Sequence, residues 1–384
     1  MKLAFLCNNM KSTNGVERVL SQRLSLLAES GMYEVYLITY NQYGAPFSFP
    51  ISDKVHYVDL ATRYIERCSY HGLYQYWDRF FSRRLFVRSF RQCVEDIKPD
   101  VVTCVDMHLA DLRAVVSLKN DVMKVVECHC GLSAYFNDLE KIENRYKRKR
   151  ERTLKQKLIR TIGMFDRIVV MTEEEKTKWN FGDKVVFIPN MLVSYPEDFL
   201  ERTITHKRVI SVGRYAYQKG YDMLMQAWKM VEDKHPDWSL HIYGSHDGDM
   251  GDYDQLRHAI DDNTMRNVYL HSVTTDIYTK YYENDFYVMS SRFESFGLVL
   301  IEAMSCGLPI VSFDCNYGPR SIVTDGETGI LVPPYDVKKL ALSICFMIEH
   351  NDERMKMGRN ARVAILKYKP ERIISFWQHF YQSL

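Results

Sequence analysis

Two glutamates, Glu294 and Glu302, stand with seven residues between them in the segment Ser291-Arg292-Phe293-Glu294-Ser295-Phe296-Gly297-Leu298-Val299-Leu300-Ile301-Glu302-Ala303-Met304-Ser305-Cys306-Gly307. Leu298 to Ser305 is a run of good helix formers with Gly307 as its stop, so Glu302 falls about one turn inside a helix and Glu294 in the loop before it. The backbone N–H groups of Phe296, Gly297 and Leu298 would then be unbonded at the positive end of that helix, where a phosphate binds readily. Each carboxylate can accept hydrogen bonds from two adjacent hydroxyls. One suits a ribose diol and the other the hydroxyls of a hexose, which is the order of groups in a sugar nucleotide. Taken singly, the two also read as a solvated helix residue and a helix-start charge favoured by the dipole.

Three further groups have chemistry to offer. Val212-Gly213-Arg214-Tyr215-Ala216-Tyr217-Gln218-Lys219-Gly220 follows a strand-like run, and ligands of open α/β sheets bind at strand ends. Arg214 and Lys219 could neutralise a diphosphate leaving group as its charge grows, although a basic pair on a loop is usually solvated surface. Gly15, after the first strand-like run, would let a helix start approach a bound group, but the three-glycine dinucleotide fingerprint is missing, which leaves an NAD or FAD reading little support. His129, in Glu127-Cys128-His129-Cys130-Gly131, could orient a sugar hydroxyl or be a satisfied strand-end histidine. No second Cys or His pair follows at zinc-site spacing.

Charge is balanced over the chain at +2 but not along it. From Leu60 to Gln92 seven arginines face two acids, interleaved with Tyr64, Tyr70, Tyr74, Tyr76, Trp77, Phe80, Phe81, Phe86 and Phe90; from Arg145 to Arg160 nine Lys or Arg face Glu151 alone. Such a surface suits an anionic lipid headgroup boundary and hence a lipid-linked acceptor, or it is a solvated helix face beside ordinary core aromatics. No nucleic-acid module is recognisable.

The elements that must position these residues follow from apolar periodicity. Strand-like runs at 3–7, 35–39, 101–105, 125–128, 168–171 and 185–188 alternate with helical stretches, and a second series runs through 209–213, 240–243, 268–271, 286–289, 310–313 and 330–332. Alternation of that kind predicts two open parallel α/β sheets, as 384 residues also suggest. A linker is expected from Pro189-Asn190 to about His206. The last stretch, Pro370 to Leu384, reads as an amphipathic helix whose Ile373, Ile374, Trp377, Phe380 and Tyr381 need a surface to cover, expected on the first domain. Nine cysteines scattered through apolar segments read as reduced cytosolic thiols, and no apolar run approaches the ~20 residues of a membrane-spanning helix.

Together these residues resemble the family 4 retaining glycosyltransferases. The resemblance spans most of the chain and is strongest from Val209 to Pro334, through Gly213-Arg214 with Gln218-Lys219-Gly220, the two-glutamate segment, and Asp325-Gly326-Glu327-Thr328-Gly329-Ile330-Leu331-Val332; Gly15, His129 and Ile188-Pro189-Asn190 add to it. It implies an α/β GT-B fold: two facing Rossmann-like domains with a central cleft, residues 1–191 on the acceptor side and 192–369 binding the donor, with 370–384 crossing back to the first.

The implied activity moves a hexose or N-acetylhexosamine from a nucleotide sugar, UDP-linked on the family's habits, to a glycan or lipid-linked saccharide in surface polysaccharide or glycolipid assembly. The anomeric configuration is retained, with no metal and no cofactor. Arg214 and Lys219 would stabilise the diphosphate; Glu294 and the backbone of Phe296, Gly297 and Leu298 would hold donor sugar and phosphate; Glu302 would hold the ribose; Gly15 would approach the phosphate; and His129 would contact the donor sugar. The place implied is the cytoplasm, at the inner face of the membrane if the runs 60–92 and 145–160 bind lipid.

Relatives often have Pro-Ser where this chain has Ser290-Ser291, and Ser245-His246-Asp247-Gly248-Asp249 is longer and more acidic than the usual glycine pair, which bears on donor choice. Three other readings remain: a metal-dependent transferase using Asp247-Gly248-Asp249, a phosphorylase or sugar-nucleotide epimerase of the same fold, and a non-catalytic membrane- or glycan-binding protein.

Overall fold

The computed structural model describes residues 1–62, 73–105, 107–129, 131, 144–196, 205–245, 250–262 and 264–384, and the side chains of these except 73–80 and 250–252. Of the sequence-stretch residues above, Tyr64, Tyr70, Cys130 and His246-Asp247-Gly248-Asp249 lie outside the described residues, as do the side chains of Tyr74, Tyr76, Trp77 and Phe80.

The chain divides into two compact units, Met1–Pro189 with Glu371–Leu384, and Asn190–Pro370. In the first, strands β1 (Lys2–Cys7), β2 (Glu34–Thr39), β3 (His56–Asp59), β4 (Val101–Cys104), β5 (Met123–Cys128), β6 (Arg167–Val170) and β7 (Val185–Phe187) form a parallel sheet in the order β3-β2-β1-β4-β5-β6-β7. Its helices are α1 (Gly15–Glu29), α2 (Leu73–Ile97), α3 (Leu109–Val116), α4 (Arg145–Ile162), α5 (Glu173–Lys178) and, from the far end of the chain, α13 (Pro370–Gln382). Central strands are buried on both faces and so read as continuous apolar runs, as in Leu3 to Cys7. The edge strand β3 is half-exposed and polar, and the apolar pattern does not reveal it.

In the second unit β8 (Arg208–Val212), β9 (Ser239–Tyr243), β10 (Val268–His271), β11 (Phe286–Met289), β12 (Ile310–Phe313) and β13 (Gly329–Val332) pair in parallel in the order β10-β9-β8-β11-β12-β13. Helices α6 (Tyr221–Glu232), α7 (Met250–Asp262), α8 (Ile277–Tyr282), α9 (Leu298–Ser305), α10 (Gly318–Ile322), α11 (Val337–Glu349) and α12 (Asn351–Ala364) complete it. Leu224, Trp228, Leu240, Ile242, Phe286, Val311 and Ile344 are fully buried in its core. The stretch expected to be a linker is partly built in: Met191 and Leu192 are buried, and the Leu192 N–H donates to Tyr368 O at 2.8 Å.

Strand order reverses between β1 and β4 in one sheet and between β8 and β11 in the other. Loops leaving the carboxyl ends of two such strands diverge to opposite sides, and the crevice left between them is where an open α/β sheet takes a ligand.

Candidate active site

Within the second unit, the loops after β8 and β11 meet across that crevice. Lys219 Nζ lies 2.6 Å from Glu294 Oε1, and Ser291 Oγ donates to the same oxygen at 2.8 Å. Both side chains are largely buried, with 14% of Lys219 and 9% of Glu294 exposed. An ammonium so enclosed keeps more of its field than one in water, and its carboxylate partner stops it from being a lone buried charge. The Lys219 stem runs over Gly213, where a Cβ would sit 2.7 Å from Lys219 Cε. Gly220 follows in the left-handed region at φ 63°, and a Cβ there would meet Ser290 O at 2.2 Å, so glycine alone lets the β8 loop lie against the β11 loop. Arg214 is exposed and has no hydrogen-bond or ion-pair partner among the described residues.

Helix α9 opens at Gly297, whose φ of 92° aims the chain into the helix and which contributes no side-chain cap. No acid occupies the first turn. Among the described residues the N–H groups of Phe296, Gly297 and Leu298 have no protein acceptor, and the first helical N–H to find one is Leu300, at 2.9 Å from Gly297 O. Uncapped N–H groups beside a buried lysine make a ready anion site. Glu302 lies on the buried side of α9, 5% exposed, with Tyr281 Oη 3.4 Å from its Oε2; burial and then the Glu302 charge hold the Tyr281 phenol well above its ordinary range. The reading of Glu302 as a solvated helix residue is thereby corrected, because its side chain is buried against Tyr281 of α8.

Beside Glu294 the backbone carries an outlier that periodicity does not signal. Tyr317, buried and not glycine, has φ 75° and ψ −67°, and the Gly318 N–H reaches back to Asn316 O at 3.2 Å. This is the rare, strained form of the γ-turn. It is held where Tyr317 bridges Glu294 as an isolated parallel pair, with the Gly318 N–H also reaching Glu294 O at 3.3 Å.

In the first unit Gly15 is the exposed first residue of α1, after an Asn14 that makes no side-chain cap. It follows β1, one of the two strands at the reversal. His129 follows β5, one strand farther along, with its Nε2 2.9 Å from Glu127 Oε2; the other oxygen, Oε1, is 2.6 Å from Arg23 Nη2. The Glu127 carboxyl is fully buried, a cost that the Arg23 charge and the His129 hydrogen bond outweigh, leaving its pKa lowered to about 2. The guanidinium of Arg23 sits 4.1 Å from the ring centroid of Trp377 on α13. Sequence reading finds His129 but not its supports, because Arg23 is 104 positions from Glu127 and nothing local pairs them.

Among the described residues one group could hold a metal ion: ligand atoms of His235, Cys345 and Glu349 lie within 4.8 Å of one another. His235 follows the end of α6 and Glu349 ends α11, which puts the group at the amino-terminal end of the sheet, opposite the Lys219–Glu294 pair.

Comparison with known proteins agrees with this geometry. Residues 198–364 match the family model of glycosyl transferases group 1. Over 387 residues the chain is 26% identical to an uncharacterized glycosyltransferase of Haemophilus influenzae, covering 98% of this chain and 99% of that one. Over residues 198–364 the chain is similar to the glycosyl transferases group 1. An amylovoran biosynthesis glycosyltransferase of Erwinia amylovora is 24% identical to this chain, with 98% of each covered. The pneumococcal O-GlcNAc transferase GtfA, solved with UDP and GlcNAc, matches it with TM-score 0.73 over 100% of this chain and 99% of its own at 16% identity, a likeness of fold. The fold is GT-B, with two Rossmann-like units, and the activity is that of a glycosyltransferase. No helix among the described residues is long and apolar enough to cross a membrane.

Proposed function

We propose that this glycosyltransferase moves a hexose or N-acetylhexosamine from a UDP-sugar to a saccharide acceptor of surface polysaccharide or glycolipid assembly, with retention and without a metal ion. The observation that carries the proposal is the buried Lys219–Glu294 pair next to the uncapped start of α9, at the strand reversal of the second unit. UDP and GlcNAc beside a similar fold, and amylovoran synthesis by a full-length relative, favour the donor and the product class.

In this reading the diphosphate takes the N–H groups of Phe296, Gly297 and Leu298 and the charges of Lys219 and Arg214. Glu294 holds sugar hydroxyls, Glu302 the ribose, Gly15 gives close approach to the phosphate, and His129 holds a hydroxyl near the reacting carbon. As the bond from anomeric carbon to UDP oxygen breaks, the acceptor oxygen bonds to that carbon on the same face, and its proton passes to the departing phosphate. Neither glutamate is asked to move a proton. The demand falls on charge that grows at the leaving oxygen, where fixed donors and cations act best.

A panel of UDP-hexoses and UDP-N-acetylhexosamines tested by thermal shift and by UDP release should find one preferred donor. Lys219→Ala, Glu294→Ala and Arg214→Ala should each lower turnover by about 30-fold to 10³-fold, at about 2–4 kcal/mol apiece, with folding intact. Full activity in all three defeats the proposal. Activity lost to EDTA and restored by manganese would favour the metal-dependent route; phosphorolysis of a glycan, or epimerisation of donor alone, would favour the other enzymes of this fold.

The first unit suits a lipid-linked acceptor. Helix α4 buries only Leu158, Thr161 and Ile162 and exposes Tyr146 and Leu154, while α2 exposes Phe81 and Leu85 next to Arg84 and Arg88. Apolar tips among cations match an anionic headgroup layer. Vesicles containing anionic lipid should bind the protein in a salt-dependent way, and reversing the charges at Arg148, Lys149 and Arg150 should weaken that binding. Equal binding to neutral vesicles would end this part of the proposal.

A further inference from the structure

The β8 and β11 loops touch at more points than the Lys219–Glu294 pair, and most of them converge on Arg292. Its Nη1 donates to Asp222 Oδ1 at 2.9 Å and its Nη2 to Asp222 Oδ2 at 2.6 Å, a two-pronged fork onto the first turn of α6. The same Nη1 donates to Tyr217 O at 2.7 Å, and the guanidinium carbon lies 3.9 Å from the centroid of the Tyr217 ring. The backbone N–H of Arg292 donates to Gln218 O at 2.8 Å, and Gln218 Nε2 donates back to Phe293 O at 3.1 Å. Ser290 Oγ donates to Lys219 O at 2.9 Å. Every residue from Tyr217 to Gly220 is thus fastened to the neighbouring loop by a hydrogen bond, a ring contact, an ion pair or close packing.

The fork has the features that separate an effective ion pair from a decorative one. The Arg292 side chain is only 10% exposed although Asp222 is 55% exposed, the geometry is bidentate, and a ring covers one face of the guanidinium. An ordinary exposed pair contributes almost nothing; enclosure, the fork and the ring together remove the conformational freedom that makes such pairs weak. A lysine would keep the charge and lose the fork and the stacking.

Resting on the site reading above, we propose that Arg292 is a positioning residue that clamps the β8 loop onto the β11 loop, so that Lys219 is already placed when the donor diphosphate arrives. Without the clamp the loop around the left-handed Gly220 would sample other conformations, and binding would have to select the competent one. Arg292 itself is occupied by Asp222 and Tyr217 and makes no claim on the phosphate.

Two measurements on the full chain test this. In the ligand-free protein, hydrogen exchange of the amides in 214–220 should be about tenfold faster in Arg292→Ala, with the melting temperature of the second unit nearly unchanged. Calorimetry with UDP as probe should show Arg292→Ala binding about tenfold more weakly and Arg292→Lys about threefold more weakly. On a Lys219→Ala background the Arg292→Ala change should add less than about twofold, since a clamp acts through the residue it places. Unchanged exchange, or a UDP penalty as large on the Lys219→Ala background as on the wild type, overturns the clamp. A wild type that binds no UDP, with exchange nonetheless faster in Arg292→Ala, would overturn the reading of the site and leave the clamp as a property of the loops.

Discussion

Glu127 ties the buried guanidinium of Arg23 to the imidazole of His129. Its carboxylate is out of contact with water, held by Arg23 on one oxygen and His129 on the other. Breaking a buried pair from one side leaves an uncompensated charge, which typically costs about 3–5 kcal/mol, whereas replacing both partners with apolar groups of similar size can be nearly neutral. Glu127→Ala should therefore destabilise the first unit by about that amount in a denaturant melt, and Arg23→Met with Glu127→Leu should recover most of it. Glu127→Gln separates the roles: an amide keeps a hydrogen bond to His129 yet removes the charge that orients the imidazole by accepting from Nε2. If His129 holds a hydroxyl of the donor sugar, Glu127→Gln should lower turnover by about tenfold more than it lowers UDP binding. An equal effect on both would count against an oriented His129.

At the scale of elements, α13 belongs by contact to the unit at the opposite end of the sequence. Ile373, Trp377, Phe380 and Tyr381 bury one face of it, and Tyr33 Oη donates to Gln378 O at 3.4 Å. Emptying a buried tryptophan site usually costs about 3–5 kcal/mol. Trp377→Ala should approach the upper end of that range, because it also uncovers Arg23, and its loss should appear in the transition of the first unit and not of the second. The helix was legible in advance from the spacing of its apolar residues, as were the buried strands, because burial on both faces leaves an unbroken apolar run. Strand β3 was not, since an edge strand with a polar face has no such run. Glu294 with the α9 start could be read locally, because one loop and one helix contain it. The partners of Glu294, Glu127 and Arg292 could not, because pairs such as Lys219 with Glu294, 75 positions apart, exist only once the strand order sets two loops side by side. Sequence patterns of period two or 3.6 carry no record of that order.

On the scale of the whole molecule, the two units keep their titratable groups in different environments and should respond to acid over different ranges. The second unit has a ladder of stacked rings on β9 and β10: Tyr269 on His241 with centroids 4.9 Å apart, His241 on His271 at 5.3 Å, and His271 on Tyr243 at 4.3 Å, with His241 Nδ1 and His271 Nε2 at 3.1 Å. Burial, and then the neighbouring His271, lowers the His241 pKa from 6.5 to about 4, while burial and Lys280 lower that of His271. A shared hydrogen between two ring nitrogens needs at least one of them neutral. A histidine with a depressed folded pKa contributes stability that is complete above its unfolded pKa and is lost as pH falls toward the folded one. The second unit should accordingly lose stability between about pH 6.5 and about pH 4. Glu127 has the same sign at lower pH: its folded pKa of about 2 lies below an ordinary 4.5, so what it gives the first unit persists down to about pH 4.5 and is lost between there and about pH 2. Scanning calorimetry from pH 7 to pH 4 should show the transition of the second unit falling while that of the first, marked by its sensitivity to Trp377→Ala, holds nearly steady. His241→Gln keeps a polar ring-edge partner for His271 without a proton to gain, and should flatten the fall of the second unit over that range. Parallel decline of both transitions in wild type, or an unchanged slope in His241→Gln, would show that the stacked histidines do not set the acid response.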